Sequence, residues 1–394
     1  MKKLLSLALA LCLVLTLALP VMAAETIKLK VWGSQEDQAM LQEMVEAFKA
    51  ANSGKTYEVE FGVVGENDAK TRYLEDPAVA ADVFAFASDQ LLDLVKADAL
   101  YEVTINKDAI VAANLPGSID AATVGEHLYA YPMTADNSYF LYYDKSVLNE
   151  EQVKTLDGIL EAANAAGKKF FMDISNGWYI ASFFLGAGGK LGIAEDGSQT
   201  TDFNNEKGVA AGEAIKALTA NDAFLTGDDA ILNGGIGTTI AAGVSGTWNA
   251  GSIGEKLGEN YAAAKLPTFT LNGEQAQMSS FFGYKLVGVN SLTEYPEEAM
   301  ALAEWLTNEE NQLKRFEMRT LAPSNIKVAA DPRVKANVAL AAVAEQEQYA
   351  VPQKEVLGNY WSPAEAFGAT MEAKDYSKDI QTMLNEMVAS ITAK

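Results

Sequence analysis

Residues 27–48 read IKLKVWGSQEDQAMLQEMVEAF, and this stretch changes from one hydrophobic period to another. Residues 27–32 alternate apolar and polar side chains, a pattern typical of a β-strand. The apolar residues then recur at spacings of three and four, which predicts an amphipathic helix with Met40, Leu41, Met44, Val45 and Phe48 on one face. A strand that leads directly into a helix is the unit from which α/β proteins are built.

The same alternation continues along the chain. Further strands are predicted at residues 57–64, 82–87, 129–133, 138–143, 169–174, 238–244 and 281–290. Helices are predicted at residues 89–100, 205–220, 296–316, 332–348 and 376–393, with another beginning near Trp178. This order favours an α/β fold with largely parallel sheets. A chain of 394 residues favours two domains, and without a flexible linker short strands are expected to join them as a hinge.

The first 23 residues are predicted to be a secretory signal peptide. Lys2 and Lys3 precede an apolar run, and small residues end it at Ala23, where we expect cleavage. Cys12 is the only cysteine, and bulky Leu11 before it argues against a lipid-anchored form, so the mature chain would lack thiol chemistry. No later segment is apolar enough to span a bilayer. The protein is therefore expected to be secreted, periplasmic or associated with the cell surface.

The charge of the chain excludes several classes of partner. The formal net charge is −23, and removal of Lys2 and Lys3 with the signal peptide makes it −25. Such an acidic surface repels phosphate backbones and anionic lipids. We therefore expect no binding to nucleic acids or to membrane surfaces. The protein is also expected to be a monomer.

No pattern in the chain identifies a catalyst. His127 is the only histidine, which excludes zinc sites and triads that need a second one. The nucleophile elbow, the phosphate-binding loop and the dinucleotide fingerprint are all missing, and the glycine-rich residues 234–237 fit a turn better. Carboxylates are abundant, but no pair stands out as a glycosidase would need. No enzyme activity, metal or cofactor is expected, although a secreted carbohydrate-active enzyme stays open as an alternative.

Trp248 stands in the stretch VSGTWNAGSI, residues 244–253, among small residues that cannot enclose it. It follows a predicted strand and precedes a helix, the place where α/β sheets hold ligands. A flat aromatic ring there suits the apolar face of a sugar, while Asp, Glu, Asn or Gln side chains bond the hydroxyl groups. The alternative is a partly buried tryptophan that covers a sheet edge.

Ordered segments over nearly the whole mature chain resemble the maltose/maltodextrin-binding proteins of ABC transporters, within the extracellular solute-binding proteins. They are KLKVWGSQEDQAMLQEMVEAFKA, ADVFAFASDQLLDLVKADALYEV, HLYAYPMTADNSYFLYYDKSVL, WYIASFFLGAGG, SGTWNAGSI, AAKLPTF, EEAMALAEWLTNEENQ and DPRVKANVALA, with an aromatic near NYW. The resemblance implies a two-lobe, periplasmic-binding-protein-like α/β fold, in which each lobe is a sheet flanked by helices and the ligand cleft lies between them. It places one lobe at residues 24–134 and 286–331 and the other at 138–280 and 332–394, with hinges near 135–137 and 281–285.

The resemblance also assigns binding roles residue by residue. It makes Trp248, Trp361 and Trp178 stacking platforms, with Tyr179 beside Trp178, and it matches Phe86 to a family tryptophan. The hydroxyl-binding positions fall on Asp89, Asp136, Asn176, Gln35, Glu36 and Asp37. Ordinary alternatives remain for several of them. Trp361 could pack in a core, Asp89 could belong to a helix cap, and residues 35–37 could simply favour a helix N-terminus.

Departures from the family pattern cluster in the polar rim of the site. Phe86, Gln90, Asn176, Ser362 and Glu365 stand where the family has tryptophan, arginine, an acid, an aromatic and arginine. The resemblance thus implies an oligosaccharide ligand delivered to ABC transporter permease subunits, with an α-glucan such as maltotriose expected first. Another glycan or a non-sugar solute stays open.

Overall fold

A computed structural model describes residues 26–393 of the chain. The predicted signal peptide, its cleavage after Ala23 and Cys12 lie outside these residues. Within residues 26–393, no helix is long and apolar enough to cross a membrane.

Strands and helices alternate along the chain as predicted. The strands are β1 (Thr26–Gly33), β2 (Thr56–Val63), β3 (Val83–Ala87), β4 (Thr123–Val124), β5 (His127–Leu128), β6 (Tyr131–Asn137), β7 (Phe140–Asp144), β8 (Lys169–Phe171), β9 (Leu191–Ile193), β10 (Gln199–Thr201), β11 (Phe224–Leu225), β12 (Ile240–Ser245), β13 (Tyr261–Ala264), β14 (Thr268–Leu271), β15 (Glu274–Gln277), β16 (Ser280–Val289) and β17 (Ala350–Pro352). The helices are α1 (Gln38–Ala51), α2 (Ala69–Glu75), α3 (Leu91–Lys96), α4 (Lys107–Ala113), α5 (Pro116–Ala121), α6 (Leu156–Ala165), α7 (Gly177–Gly186), α8 (Glu206–Ala220), α9 (Asp229–Gly235), α10 (Ala250–Leu257), α11 (Pro296–Leu306), α12 (Glu309–Arg319), α13 (Ile326–Ala329), α14 (Pro332–Lys335), α15 (Val338–Glu347), α16 (Trp361–Glu372) and α17 (Ile380–Ile391).

Two large sheets organise these elements. The first has the order β17-β16-β3-β1-β2, with β6 also paired to β16, and the second has the order β11-β8-β12-β7-β13. Both sheets are mixed rather than largely parallel. In the first, β1 runs parallel to β2 and β3, whereas β16 runs antiparallel to β3 and β6. In the second, β8, β11 and β12 are parallel, whereas β7 is antiparallel to β12 and β13.

Each sheet has a hydrophobic core of its own, which gives the α/β fold two lobes. The five apolar residues predicted for the buried face of α1 are all buried, and they pack with β1, β3 and α11. The second core gathers β7, β8, β12, α7, α8, α16 and α17. The exact lobe boundaries stay a prediction.

Two long predicted helices are each divided by an asparagine. Between α11 and α12, Asn308 accepts a hydrogen bond from the backbone N–H of Asn311 and starts a new helix. Between α14 and α15, Asn337 does the same for Ala339 and Leu340. Because an asparagine side chain satisfies the free N–H groups of a helix N-terminus, it favours a cap over a helix interior. The hydrophobic spacing continues across each asparagine, so it predicted one long helix where the structure has two shorter ones.

Candidate ligand-binding site

The parallel strands of each lobe end at one sheet edge and place polar and aromatic side chains there. In the first lobe, the chain leaves β1, β2 and β3 into residues 34–37, 64–68 and 88–90. In the second lobe, it leaves β8, β11 and β12 into residues 172–178, 226–229 and 246–249. Carboxyl ends of parallel strands are where open α/β sheets hold ligands. Most of the predicted binding residues fall in these segments.

Trp178 and Trp248 form an aromatic pair on the second lobe. Their ring centroids lie 5.8 Å apart with planes inclined by 37°, and both side chains are partly exposed. Trp248 Nε1 donates to Asp229 Oδ2 at 2.9 Å, and Trp178 Nε1 donates to Gln353 Oε1 at 3.0 Å. Since each indole N–H has a fixed acceptor, both rings are held in one orientation with apolar surface still open.

Gly246 is one small residue near Trp248 that the packing of the ring requires. A Cβ at this position would overlap the Trp248 ring, far inside van der Waals contact. The ring therefore packs directly over the glycine backbone. Tyr142 supports the same turn from below, because its hydroxyl donates to the Gly246 carbonyl at 2.9 Å.

The other predicted aromatic residues differ in how much they expose. Trp361 begins α16, is partly exposed, and contacts Phe281 and Tyr360 at centroid distances of 5.9 and 5.0 Å. Tyr179 is only 6 % exposed and packs against Tyr139 at 5.0 Å, inside the second core. Burial raises the pKa of the Tyr179 hydroxyl well above its ordinary value.

Phe86 does not fit the predicted contact with a ligand. Its side chain is fully buried in the core of the first lobe and lies 5.8 Å from the ring of Phe84. The reason is its position within β3, where it is paired to Leu286 of β16. Phe86 therefore packs in the core of the first lobe rather than at the open edge of the sheet.

Asp37 forms a buried ion pair with two arginines instead of facing the open edge of the sheet. It is 3 % exposed, and its carboxylate accepts from Arg315 at 2.8 Å and from Arg319 at 3.1 Å. This ion pair ties the turn after β1 to α12, so the predicted hydroxyl-binding role does not fit Asp37 as the structure places it. Its neighbours Gln35 and Glu36 are exposed at the sheet edge.

Asp136 lies between the lobes rather than open to solvent. It is fully buried, and its Oδ2 accepts from Thr247 Oγ1 and from the Ala322 N–H, both at 2.7 Å. Its Oδ1 is buried without a partner among the described residues. Residues 134–137, predicted to interrupt two extended segments, instead belong to β6.

Asp89 and Asn176 each bond to protein groups at the site. Asp89 Oδ1 accepts from Gln353 Nε2 at 2.8 Å, and burial raises the pKa of its carboxyl to about 7, against the opposing effects of Lys70 and Gln353. Asn176 caps α7 by accepting from the backbone N–H of Trp178 at 2.9 Å. An open pocket of about 370 Å³ lies beside Asn176, between Asp173 and Glu365.

Three residues near the site were not predicted from the sequence. Lys285 Nζ lies 5.4 Å from the centre of the Trp248 ring and 3.8 Å from Glu66 Oε2. Burial by itself lowers the pKa of Lys285, but the carboxylates of Glu66, Asp136 and Asp37 outweigh it, and the pKa lies above its ordinary value. A lysine within the apolar strand FFGYKLVGVN is an available sequence signal for Lys285. Asp229 and Gln353 carry no comparable signal.

Among residues 26–393, no group of three or more His, Cys, Asp or Glu side chains is placed to hold a metal ion.

The family model of bacterial extracellular solute-binding proteins matches residues 43–342, which is more than half of the chain. The chain belongs to this family. The family resemblance predicted from the sequence segments is thereby confirmed.

Relatives of this solute-binding protein cover most of its length. The galactooligosaccharide-binding protein of Bacillus subtilis (strain 168) is 29% identical over 364 residues, covering 86% of this chain and 83% of that protein. A solved structure with acarbose has 31% sequence identity and a TM-score of 0.84, covering 94% of this chain and 99% of that chain. A maltodextrin-binding protein from L. casei, solved without ligand, has 26% identity and a TM-score of 0.77, covering 94% and 100%. The predicted two-lobe fold is confirmed by these similarities.

Proposed function

We propose that this extracellular solute-binding protein binds an oligosaccharide between its lobes and delivers it to the permease of an ABC importer, without chemical turnover. The observation that carries the proposal is the Trp178–Trp248 pair, two partly exposed rings 5.8 Å apart with both N–H groups held. Two inclined rings side by side suit consecutive sugar units, because each unit offers a C–H face to one ring.

Polar groups around the pair suit the hydroxyl rim of a sugar. Asp89, Asn176, Gln35 and Glu36 lie in the segments that leave the parallel strands, and we propose them as hydroxyl partners, with Trp361 as a third platform. Closed clefts need such partners, because an unpaired buried hydroxyl costs about 1–3 kcal/mol. Phe86, Asp37 and Tyr179 are left out of this set because the structure buries them within the lobes.

The ligand is proposed to be held by closure of the lobes. Periplasmic binding proteins close around their ligands by a hinge motion, in which a few residues of the connecting segments absorb the change in backbone angles. Here β6 and β16 pair Gly283 with Asn137 and Lys285 with Thr134, and the register is irregular on both sides of Lys285. This irregular pairing supports hinges near residues 135–137 and 281–285, with the lobes divided as the sequence predicts.

An α-glucan is the first substrate class that we propose, and a galacto-oligosaccharide is the second. The first is favoured by the similarity to the structure with acarbose and to the maltodextrin-binding protein. The second is favoured by the Bacillus subtilis relative, whose name specifies galactooligosaccharide. Both classes have the same stacking requirement and differ in the hydroxyl pattern that the polar groups must meet.

Titration calorimetry on the mature chain tests the proposal. Maltotriose, acarbose and β-1,4-galactotriose are each titrated, with spermidine and a mixture of amino acids as non-sugar comparisons, and the sugar is recovered afterwards to check for cleavage. Saturable binding of one of the three oligosaccharides without cleavage is expected. Binding of spermidine or an amino acid alone, or release of shorter sugars, would contradict the proposal.

A further inference from the structure

The side chain of Gln353 connects binding groups of both lobes. It is 5 % exposed and follows β17, in the turn Gln353–Glu355. Its Oε1 accepts from Trp178 Nε1 and from Asn137 Nδ2, both at 3.0 Å, and its Nε2 donates to Asp89 Oδ1 at 2.8 Å. One amide thus joins the indole of the second lobe, the crossing strand β6 and the carboxylate after β3.

The backbone around Gln353 fixes where this amide lies. β17 pairs with residues 280–282 of β16, so Gln353 begins where that pairing ends. A Cβ at Gly283 would lie 3.2 Å from Gln353 Oε1 and 2.9 Å from Ser88 Oγ, which shows how closely the crossing strand approaches. On the other side, Lys354 Nζ donates to the Asp120 carbonyl at 2.6 Å and holds the turn against α5.

We infer that Gln353 is a positioning residue: it sets the orientation of the Trp178 ring and of the Asp89 carboxylate relative to each other. The inference rests on the proposed function in one respect, since it takes Trp178 and Asp89 to contact the sugar. Its geometric part, the hold of Gln353 on the Trp178 N–H, concerns the ligand-free protein alone.

The chemistry of the amide suits this task. A glutamine offers an acceptor and a donor at once, so the same group can receive the indole N–H and still bond a carboxylate. A carboxylate at this position would keep the first function and lose the second, because it only accepts. The charged groups that face Asp89 are Lys70 and Asp93, and these two pair with each other at 2.6 Å. The amide of Gln353 is therefore the direct link between Asp89 and the tryptophan.

Two variants of Gln353 distinguish its role as acceptor for Trp178 from its role as donor to Asp89. Gln353→Met removes both, whereas Gln353→Glu keeps an acceptor for Trp178 but sets a second carboxylate against Asp89. Two carboxylates in contact share a proton and raise one of their pKa values strongly. The introduced group is thus expected to repel Asp89 at about pH 8 and to hydrogen-bond with it at about pH 5.5, where one proton is shared. Gln312→Met is the matched control, because Gln312 is a fully buried glutamine that bonds Asn114 Oδ1 and the Pro132 carbonyl.

The first measurement uses no sugar. Tryptophan emission is recorded for wild type, Gln353→Met and Gln312→Met, each with and without Trp178→Phe, after thermal denaturation has shown that every variant is folded. Gln353→Met is expected to shift the emission only when Trp178 is present, and Gln312→Met to leave the Trp178 contribution unchanged. An unchanged Trp178 contribution in Gln353→Met overturns the inference. If Gln353→Met fails to fold, Gln353→Ala replaces it, because alanine also lacks an acceptor for the Trp178 N–H.

The second measurement is the affinity for maltotriose at two pH values. Gln353→Met is expected to bind about tenfold more weakly at both, the size of one lost hydrogen bond. Gln353→Glu is expected to lose about tenfold at pH 8 and to recover most of it at pH 5.5. For Gln353→Glu, a loss that is equal at both pH values contradicts the inference, and for Gln353→Met an affinity within twofold of wild type does so. If wild type itself does not bind maltotriose, the proposed α-glucan ligand fails, and the sugar-free emission still decides the role of Gln353.

Discussion

The indole N–H of Trp248 donates to the carboxylate of Asp229 at 2.9 Å, which fixes one of the two adjacent tryptophan rings of the second lobe. Asp229 also accepts from Ser245 Oγ at 3.1 Å, so the acceptor is itself anchored at the end of β12. A held ring loses little conformational freedom when a sugar stacks on it, and this favours affinity. Because the ring also packs directly on Gly246, a larger side chain at that position would displace it.

Replacement of Trp248 by alanine is expected to remove most of the oligosaccharide affinity. Loss of a buried aromatic anchor at a binding site typically costs about 2 kcal/mol or more, which is roughly a thirtyfold weaker Kd. Stability should change little, because the ring is partly exposed. Titration calorimetry with maltotriose measures the first effect and urea denaturation the second.

Trp305→Phe is the control for this variant. Trp305 lies in the first lobe and donates to the Met44 carbonyl at 2.9 Å, within the contacts of α1 and α11. The Trp305→Phe variant should have a lower free energy of unfolding, because this hydrogen bond is lost, while its maltotriose affinity stays at the wild-type value. Wild-type affinity in Trp248→Ala would remove Trp248 from the site.

A methyl group at Gly246 is expected to weaken binding through Trp248. The added Cβ would overlap the ring, so the indole must move and its bond to Asp229 must stretch or break. Overpacking of this kind costs about 1–3 kcal/mol. Gly251→Ala is the matched control, since a Cβ there meets no atom within 4 Å. Calorimetry should show a loss of affinity for Gly246→Ala alone, and equal affinities for the two variants would contradict the packing argument.

Much of the fold could be predicted because hydrophobic period reports burial. The five buried residues of α1 were identified from spacing alone, and the strands from β1 to β3 lie where alternation and apolar runs place them. Helix ends at Asn308 and Asn337 were missed, since the apolar stripe continues across the cap. Strand direction was missed as well, because the side-chain period of a strand is the same in parallel and antiparallel pairs.

The candidate site could be predicted only where residue type and local position suffice. Trp178 and Trp248 were predicted as candidates because each follows a predicted strand, and both side chains are partly exposed in the structure. Phe86 and Asp37 show the limit of this reasoning, because their burial is decided by β16 and α12, which are distant in the chain. Gln353 lies 175 residues from Trp178, so a local sequence pattern could not predict the hydrogen bond between them.

Asp37→Ala is expected to lower stability and to leave binding intact. Its removal leaves the guanidinium of Arg315, whose side chain is 3% exposed, without its carboxylate partner. Breaking a buried pair in this way costs about 3–5 kcal/mol. Urea denaturation measures the loss, and Glu36→Ala is the neighbouring control, expected within about 0.5 kcal/mol of wild type because Glu36 is exposed. Loss of maltotriose binding in a fully stable Asp37→Ala protein would instead return Asp37 to the site.

Asp89 is expected to make the stability of the ligand-free protein depend on pH between its two pKa values. Burial raises the pKa of its carboxyl from the ordinary 3.8 to about 7 in the folded protein. Between these values the folded state binds more protons than the unfolded state, so the contribution of Asp89 to stability falls as pH rises from about 4 to about 7 and is then constant. The favourable contribution is fully present only below the lower value.

The comparison of wild type with Asp89→Asn isolates this effect from all other titrating groups. The amide does not titrate and resembles the protonated carboxyl in shape, so the variant should gain stability relative to wild type as pH rises from 4 to 8. Urea unfolding at about five pH values across that window gives the difference in the free energy of unfolding. A difference that is the same at every pH, or one that shrinks as pH rises, would show that the Asp89 carboxyl keeps its ordinary pKa and that its burial against Gln353 does not penalise the charge.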